Sequence, residues 1–432
     1  MTFVNIMKEK SLRKRVYFTV FVLAVTSLLT QIPVADVNSD FLQYIFQGST
    51  ILDFMDSMSG GSLSYLSLAS FGITTYVTSI IVIQLMAVIF PSIDKIRKDG
   101  ERGRKTMEKI EFTLAMGITF VSSLIFSLVY GANGLFEVYD AFHVVLAITC
   151  WMAGSFVIIF LAQQVETYGV GSGVTLVLGF NILSRVPGTI MSYYSTYANE
   201  MDARTMLLYV AGILLVLFVC FLIGVYLQCG ILNVSIRQTK KEASLFNTDG
   251  YIPVHVNIAN VLPVIYASTI MAIPTLIVSI SGYNPEGTAA SVYSVFDSAN
   301  WYSPSEWYHV LGLIIYIVLI LAFGFVASGL SDNSADITNN MRKNGDVIPY
   351  VQPGAETVQY LERRRRIMSC INVFFLLILT VLPDAICARI GVSFPFIGTS
   401  MVIVIAMLFD TALRMRAVSI HNDKHFSLFR EV

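Results

Sequence analysis

Few residues have the type and spacing for catalysis or metal binding. His421 and His425 stand i, i+4 and would share one helix face, a spacing that suits a metal ion, yet they lie in a polar tail without further ligands and read as tail residues. The five cysteines (Cys150, Cys220, Cys229, Cys370, Cys387) are scattered without a CxxC pair, and four fall in or beside apolar runs. They read as core thiols rather than a disulfide framework or metal site. The glycine cluster Gly169-Val170-Gly171-Ser172-Gly173 fits neither a nucleotide fingerprint nor a serine nucleophile motif, and no HExxH, GxSxG or P-loop sequence occurs. Enzymatic activity has no visible carrier, and no cofactor is implied.

The elements that would position such groups are themselves unusual. Of 432 residues 55% are apolar and 13% charged, against roughly 45–50% and 25% in soluble proteins. A spanning helix uses about 20 residues, so the chain reads as an all-α polytopic membrane protein. Ten apolar runs are legible at about 16–32, 73–90, 112–130, 142–165, 174–191, 206–227, 261–280, 309–328, 367–382 and 392–413. The fifth contains Arg185 and Pro187, and the seventh contains Pro263 and Pro274.

Sorting the cations gives orientation. With the N-terminus inside, 25 of the 28 Lys and Arg fall on the inner side, leaving Arg185, Arg204 and Arg389 outside. Both termini are therefore expected in the cytoplasm. Five spans per half permit two halves of inverted topology, an arrangement that creates a site or path at their interface. Two cytoplasmic segments, at about 233–260 and 329–366, are too long for simple connections. The second ends in Glu362-Arg363-Arg364-Arg365-Arg366, a topology anchor attracted to anionic lipid or a docking patch for an acidic partner or ribosomal RNA.

The spans hold almost no acids or bases, since Asp410 and Glu111 sit near run ends, which disfavours a proton-coupled transporter. Span 2 opens with the hydroxyl-rich Gly72-Ile73-Thr74-Thr75-Tyr76-Val77-Thr78-Ser79, suited to helix packing or a path that is sometimes wet. Upstream, residues 49–61 are amphipathic and too short to span; taken alone they favour the outer surface.

Further blocks carry a resemblance. The stretch SGGSLSYLSLASFGITTYVTSIIVIQL (59–85) and the basic loop IRKDGERGRKT (96–106) are followed by YGVGSGVTL (168–176), YIPVHVNIANVLPVIYAS (251–268), ADITNNMRKNGDVIPYVQPGAETVQYL (335–361) and FPFIGTSMVIVIAMLFD (394–410). In order and spacing they resemble the SecY family, the central subunit of the bacterial protein-conducting channel, over nearly the whole chain.

The resemblance implies ten transmembrane helices in two inverted five-helix halves around a central hourglass pore that opens sideways between spans 2 and 7. The N-terminal half would be 1–191, with a plug at about 49–64, the C-terminal half 192–414, and 415–432 a cytoplasmic tail. It further implies a constriction ring of Val77, Ile81, Val174, Leu178, Ile265 and Ile403, whose aliphatic side chains could seal around a moving polypeptide. The plug would comprise Asp53, Phe54, Met55, Asp56, Ser57, Met58, Ser59, Gly60 and Gly61, the glycine pair giving it freedom to swing. Thr78 and Asn260 would supply the polar part of the lateral gate.

Partner-facing loops would include Arg237, Lys240, Lys241, Arg342, Lys343, Gln352, Pro353 and Gly354. The implied partners are a SecE-like small subunit, a SecG-like subunit, a SecA-type ATPase or the ribosome, signal-sequence-bearing polypeptides and anionic lipids, in the bacterial cytoplasmic membrane. The alternative from another class is a small-solute secondary transporter with inverted repeats, which should show polar ligands at the midplane.

The chain also departs from the family's pattern. Gln228-Cys229-Gly230 stands where the family has Glu-Arg-Gly, Gln352-Pro353-Gly354 replaces Arg-Pro-Gly, and Ile397-Gly398 replaces Gly-Gly. Loss of arginine forks in two partner-facing loops points to a divergent or accessory paralogue with a specialised motor.

Overall fold

The computed structural model describes residues 10–35, 37, 50–97, 99–136, 139–197, 203–238, 250–255, 261–281, 288–298, 300–302, 306–330, 334–390 and 397–428. Among the described residues, ten helices of 18 residues or more occupy, in order, the ten apolar runs. They are α1 (Lys10–Leu29), α3 (Gly72–Ile89), α5 (Gly100–Tyr130), α6 (Ala141–Tyr168), α7 (Gly173–Tyr197), α8 (Ala203–Cys229), α9 (Leu262–Ser281), α11 (His309–Leu330), α13 (Ala355–Ile390) and α14 (Ile397–Leu428). Between them lie the short helices α2 (Thr50–Ser59), α4 (Pro91–Arg97), α10 (Thr288–Phe296) and α12 (Ser334–Asn344).

Among the described residues, five segments are long and apolar enough to cross a membrane on their own: Arg102–Tyr130, Ala141–Tyr168, His309–Gly329, Ala355–Arg389 and Gly398–Met415. The pair α3 and α4, bent by 114°, makes a sixth if counted as one span. α7 runs unbroken through Arg185 and Pro187, and α9 carries Pro263 in its first turn, where a proline sacrifices no helical hydrogen bond. The 36 residues of α13 extend over about 54 Å, more than a bilayer core needs, and its arginine-rich first third packs Leu361 against the small sheet described next.

Neither long segment is wholly a loop. β1 (Ile231–Gln238) pairs antiparallel with β2 (Gly250–His255), with Leu232 opposite Val254 and Ile236 opposite Gly250. β3 (Asp346–Val347) adds on the other side, Arg237 facing Val347. The residues of β1 alternate: Val234 and Ile236 are buried, while Asn233, Ser235 and Arg237 face out. The buried set packs with Val254, Met341 of α12, Ile348 and Leu361 of α13 into a small core of its own. This sheet is an addition to the all-helical architecture read from the sequence, where these segments stood as loops.

Close helix crossings are made where side chains vanish. A Cβ on Gly398 would lie 2.2 Å from the Thr380 carbonyl oxygen, so α14 crosses α13 on bare backbone. The Gly398 N–H donates to Asp384 at 3.0 Å. At the α7–α14 crossing, a Cβ on Gly179 would meet the Met407 sulfur at 2.5 Å.

Candidate functional site: an apolar ring closed by a short helix

The six expected ring residues all belong to one large apolar cluster. Val77 and Ile81 of α3, Leu178 of α7, Ile265 of α9 and Ile403 of α14 are all buried in one apolar cluster, with Val174 partly buried against it. Met58 of α2 belongs to the same cluster. Four helices far apart in sequence thus contribute aliphatic side chains to one apolar cluster, to which the end of α2 also contributes Met58.

Along α7 the face that meets this cluster changes character. Val174 and Leu178 are followed on the same stripe by Asn181 and Arg185, at i+7 and i+11 from Val174. Asn181 Nδ2 donates to the Met58 carbonyl at 3.2 Å. Arg185 forms an ion pair with Asp56, whose carboxylate is fully buried. The other Asp56 oxygen accepts the Ser64 N–H at 2.8 Å, so the buried charge has both a cation and a backbone donor. α2 is therefore docked against α7 rather than lying on a surface, as its amphipathic pattern alone suggested.

Asp53, Phe54, Met55 and Ser57 also belong to α2, and Ser59 closes it, donating its hydroxyl to the Asp56 carbonyl at 3.0 Å. Gly60 and Gly61, with φ of 77° and 84°, end the helix in the left-handed conformation. Gly61 N–H returns to the Asp56 carbonyl at 2.8 Å, a glycine helix stop. Gly60 is required for a second reason: a Cβ there would sit 3.0–3.1 Å from the Asn181 side chain. The pair caps and docks α2 in this conformation.

Between α3 and α9 the polar link is one the sequence reading missed. Tyr266 of α9 donates its hydroxyl to Gln84 Oε1 of α3, and the Tyr266 ring packs edge-on against Phe323, centroids 5.5 Å apart. Thr78, expected in this role, turns its hydroxyl back to the Thr74 carbonyl of its own helix at 2.8 Å, the usual fate of a mid-helix threonine. Asn260 lies outside the described residues. Other hydroxyls of α3 bind within the first half of the chain, Thr75 to Thr119 at 2.8 Å and Tyr76 to Gln163 at 3.4 Å.

Further polar bonds tie α14 and α1 to the glycine cluster that matched no catalytic motif. Ser172 N–H donates to Asp410 Oδ2 of α14 at 3.0 Å, and Arg414 Nη1 donates to the Gly171 carbonyl at 3.3 Å. From α1, Thr19 accepts the Val170 N–H at 3.0 Å.

Of the expected partner-facing residues, Arg237, Arg342, Lys343, Gln352 and Pro353 are exposed around the sheet, with Gly354 at φ 119°. Lys240 and Lys241 lie outside the described residues.

The sequence model of the SecY family matches residues 67–412. The chain belongs to the SecY family. It is 27% identical over 440 residues to the protein translocase subunit SecY of Staphylococcus carnosus (strain TM300), covering 99% of both chains. To that of Staphylococcus aureus (strain NCTC 8325) it is 26% identical over 425 residues, covering 96% of each.

Solved structures share the fold. A protein-conducting channel superposes with a TM-score of 0.66 at 16% identity, over 95% of this chain and 93% of that one. A SecY protein whose plug domain stabilises the closed state and maintains a membrane seal gives 0.64 at 17%, again over 95% and 93%. Sec61 in the canine ribosome–channel complex of the endoplasmic reticulum gives the same figures. The chain is thus a multi-pass membrane protein of the SecY family, built on ten long helices.

Proposed function

We propose that this chain is the channel subunit that conducts secretory polypeptides across the bacterial cytoplasmic membrane and releases membrane segments sideways into it. The observation that carries this reading is the convergence of Val77, Ile81, Val174, Leu178, Ile265 and Ile403 on one cluster capped by Met58. A ring of branched aliphatic side chains is dry when closed and deformable when a chain passes, and it carries no group that could do chemistry on a substrate. α2 is the plug, held on Arg185 and Asn181. α3 and α9 form the lateral gate, with Gln84 and Tyr266 as its clasp.

In this reading residues 1–191 and 192–414 form the two halves, and both termini and the β-sheet face the cytoplasm. The Asp410 and Arg414 bonds to residues 171–172 hold the halves together behind the gate. The chain itself is not an enzyme; movement is driven by a SecA-type ATPase or a translating ribosome. SecE-like and SecG-like subunits brace the bundle, and anionic lipid neutralises Arg363–Arg366.

The test is reconstitution of the chain with its small subunit into vesicles. ATP-driven protease protection of a signal-bearing precursor, without uptake of small solutes, is the expected result. Solute accumulation without precursor protection would favour a secondary transporter.

A further inference from the structure

α9 carries a second polar attachment besides its bond to Gln84. Tyr266 and Ser268 stand two residues apart, about 200° around a helix, so they leave α9 in different directions. Tyr266 reaches α3, whereas Ser268 meets Tyr316 of α11 and Thr399 of α14. All three of these hydroxyl residues are fully buried. Their oxygens form a triangle: Tyr316 to Thr399 is 3.1 Å, Ser268 to Tyr316 3.3 Å and Ser268 to Thr399 3.5 Å.

The proton supply gives the triangle a direction. Ser268 donates its own proton to the Val264 carbonyl at 2.9 Å, which leaves its oxygen an acceptor toward the other two. Two protons then serve three edges, and the two shorter edges take them: Thr399 donates to Tyr316 and Tyr316 to Ser268. Unlike Thr78, Thr399 lies in the first turn of α14, where no carbonyl of its own helix stands one turn back to accept its hydroxyl. A change in the spacing of the three helices therefore takes a partner from a hydroxyl buried in an apolar core, which costs its desolvation.

Two corners of the triangle are mounted firmly. Beside Thr399, Gly398 lies on the Thr380 backbone and its N–H donates to Asp384. The Tyr316 ring lies 5.0 Å from that of Trp301, whose Nε1 donates to the Val295 carbonyl at 2.8 Å. The third corner, Ser268, ties α9 to this frame. Ser268 is three residues past Ile265, and Thr399 is four before Ile403, so the tie sits one helical turn from a ring residue on each helix.

Resting on the reading of this chain as a polypeptide channel, we propose that Ser268, Tyr316 and Thr399 are positioning residues of the ring. They hold α9 to α14 so that Ile265 and Ile403 move as one body against Val77, Ile81, Val174 and Leu178 of the first half. The gate then opens where Tyr266 meets Gln84, and the second half's share of the seal stays assembled while it does.

The test uses the full chain with its small subunit, in nanodiscs for distances and in planar bilayers for conductance. Genetically encoded spin-labelled residues replace Met86 of α3, Ile273 of α9 and Leu408 of α14, and a synthetic hydrophobic signal peptide is the probe. In the otherwise wild-type chain the peptide should widen the 86–273 distance and leave 273–408 unchanged. Thr399→Val and Tyr316→Phe, which keep the volume and lose the hydroxyl, should broaden the 273–408 distribution and raise resting ion conductance about 3-fold or more. Thr399→Ser keeps the hydroxyl and should behave as wild type. A 273–408 distance that shifts with the peptide as much as 86–273, T399V and Y316F proteins as tight as wild type, or a T399S protein as leaky as T399V overturns the assignment. No widening of 86–273 with the peptide instead overturns the lateral-gate reading on which it rests.

Discussion

Asp56 in the short helix α2 and Arg185 in α7 form an ion pair in which the carboxylate is fully buried and the guanidinium keeps 28% of its side-chain surface exposed. In the proposed function the pair joins the plug to one of the helices that build the ring. On that proposal, opening requires either separating the pair or moving α7 with α2.

Breaking one partner of a buried pair is destabilising by about 3–5 kcal/mol, an upper figure here because Arg185 reaches solvent. Asp56→Asn or Arg185→Gln should displace the plug and raise resting ion conductance by about tenfold or more in planar bilayers. The exchange Asp56→Arg with Arg185→Asp should recover part of the seal. Single variants as tight as wild type would show that the pair does not hold the plug.

The Gln84–Tyr266 bond predicts a smaller effect at the gate. Interhelical hydrogen bonds of this kind contribute about 0.6–1.7 kcal/mol, or roughly 3- to 18-fold in a two-state equilibrium. Tyr266→Phe and Gln84→Leu should each let less hydrophobic signal sequences through, and the double variant should add little to either. Additive effects in a cycle of the three would mean that the two residues act apart.

Two glycines separate backbone from side-chain crowding. At Gly398 the obstacle to a Cβ is the Thr380 backbone, whereas at Gly179 it is the sulfur of a flexible methionine. Gly398→Ala should lower the melting temperature in detergent by several degrees, and Gly179→Ala by little, because Met407 can rotate away. Equal losses would mean that α7 and α14 cannot readjust.

Much of the helical framework was legible because apolar runs of spanning length are hard to read otherwise. Arg185 within the fifth run looked like a blemish, yet it is the partner of Asp56. The placement of α2 was a different matter: amphipathic spacing by itself put it on a surface, since nothing local in the sequence announces a cation 129 residues away. The ring residues could be nominated only through the family resemblance, because Val77 or Ile403 alone is indistinguishable from any packed aliphatic.

Gln84 was findable, as a lone amide in the run SIIVIQL that would have to bond across helices. Attention went to Thr78 instead, whose hydroxyl its own helix satisfies. The β-sheet was also written in the alternation of Leu232, Val234 and Ile236, hidden by the shortness of the strands.

The most direct test of the central claim is photocrosslinking from position 81. Ile81 is replaced by a photoreactive residue, and a secretory precursor is stalled partway through reconstituted membranes. The account predicts crosslinks to the precursor that vary with its stalled length and vanish without the motor. Absence of crosslinks from position 81, with a control position contacting the small subunit still reacting, would contradict passage of polypeptide through this ring.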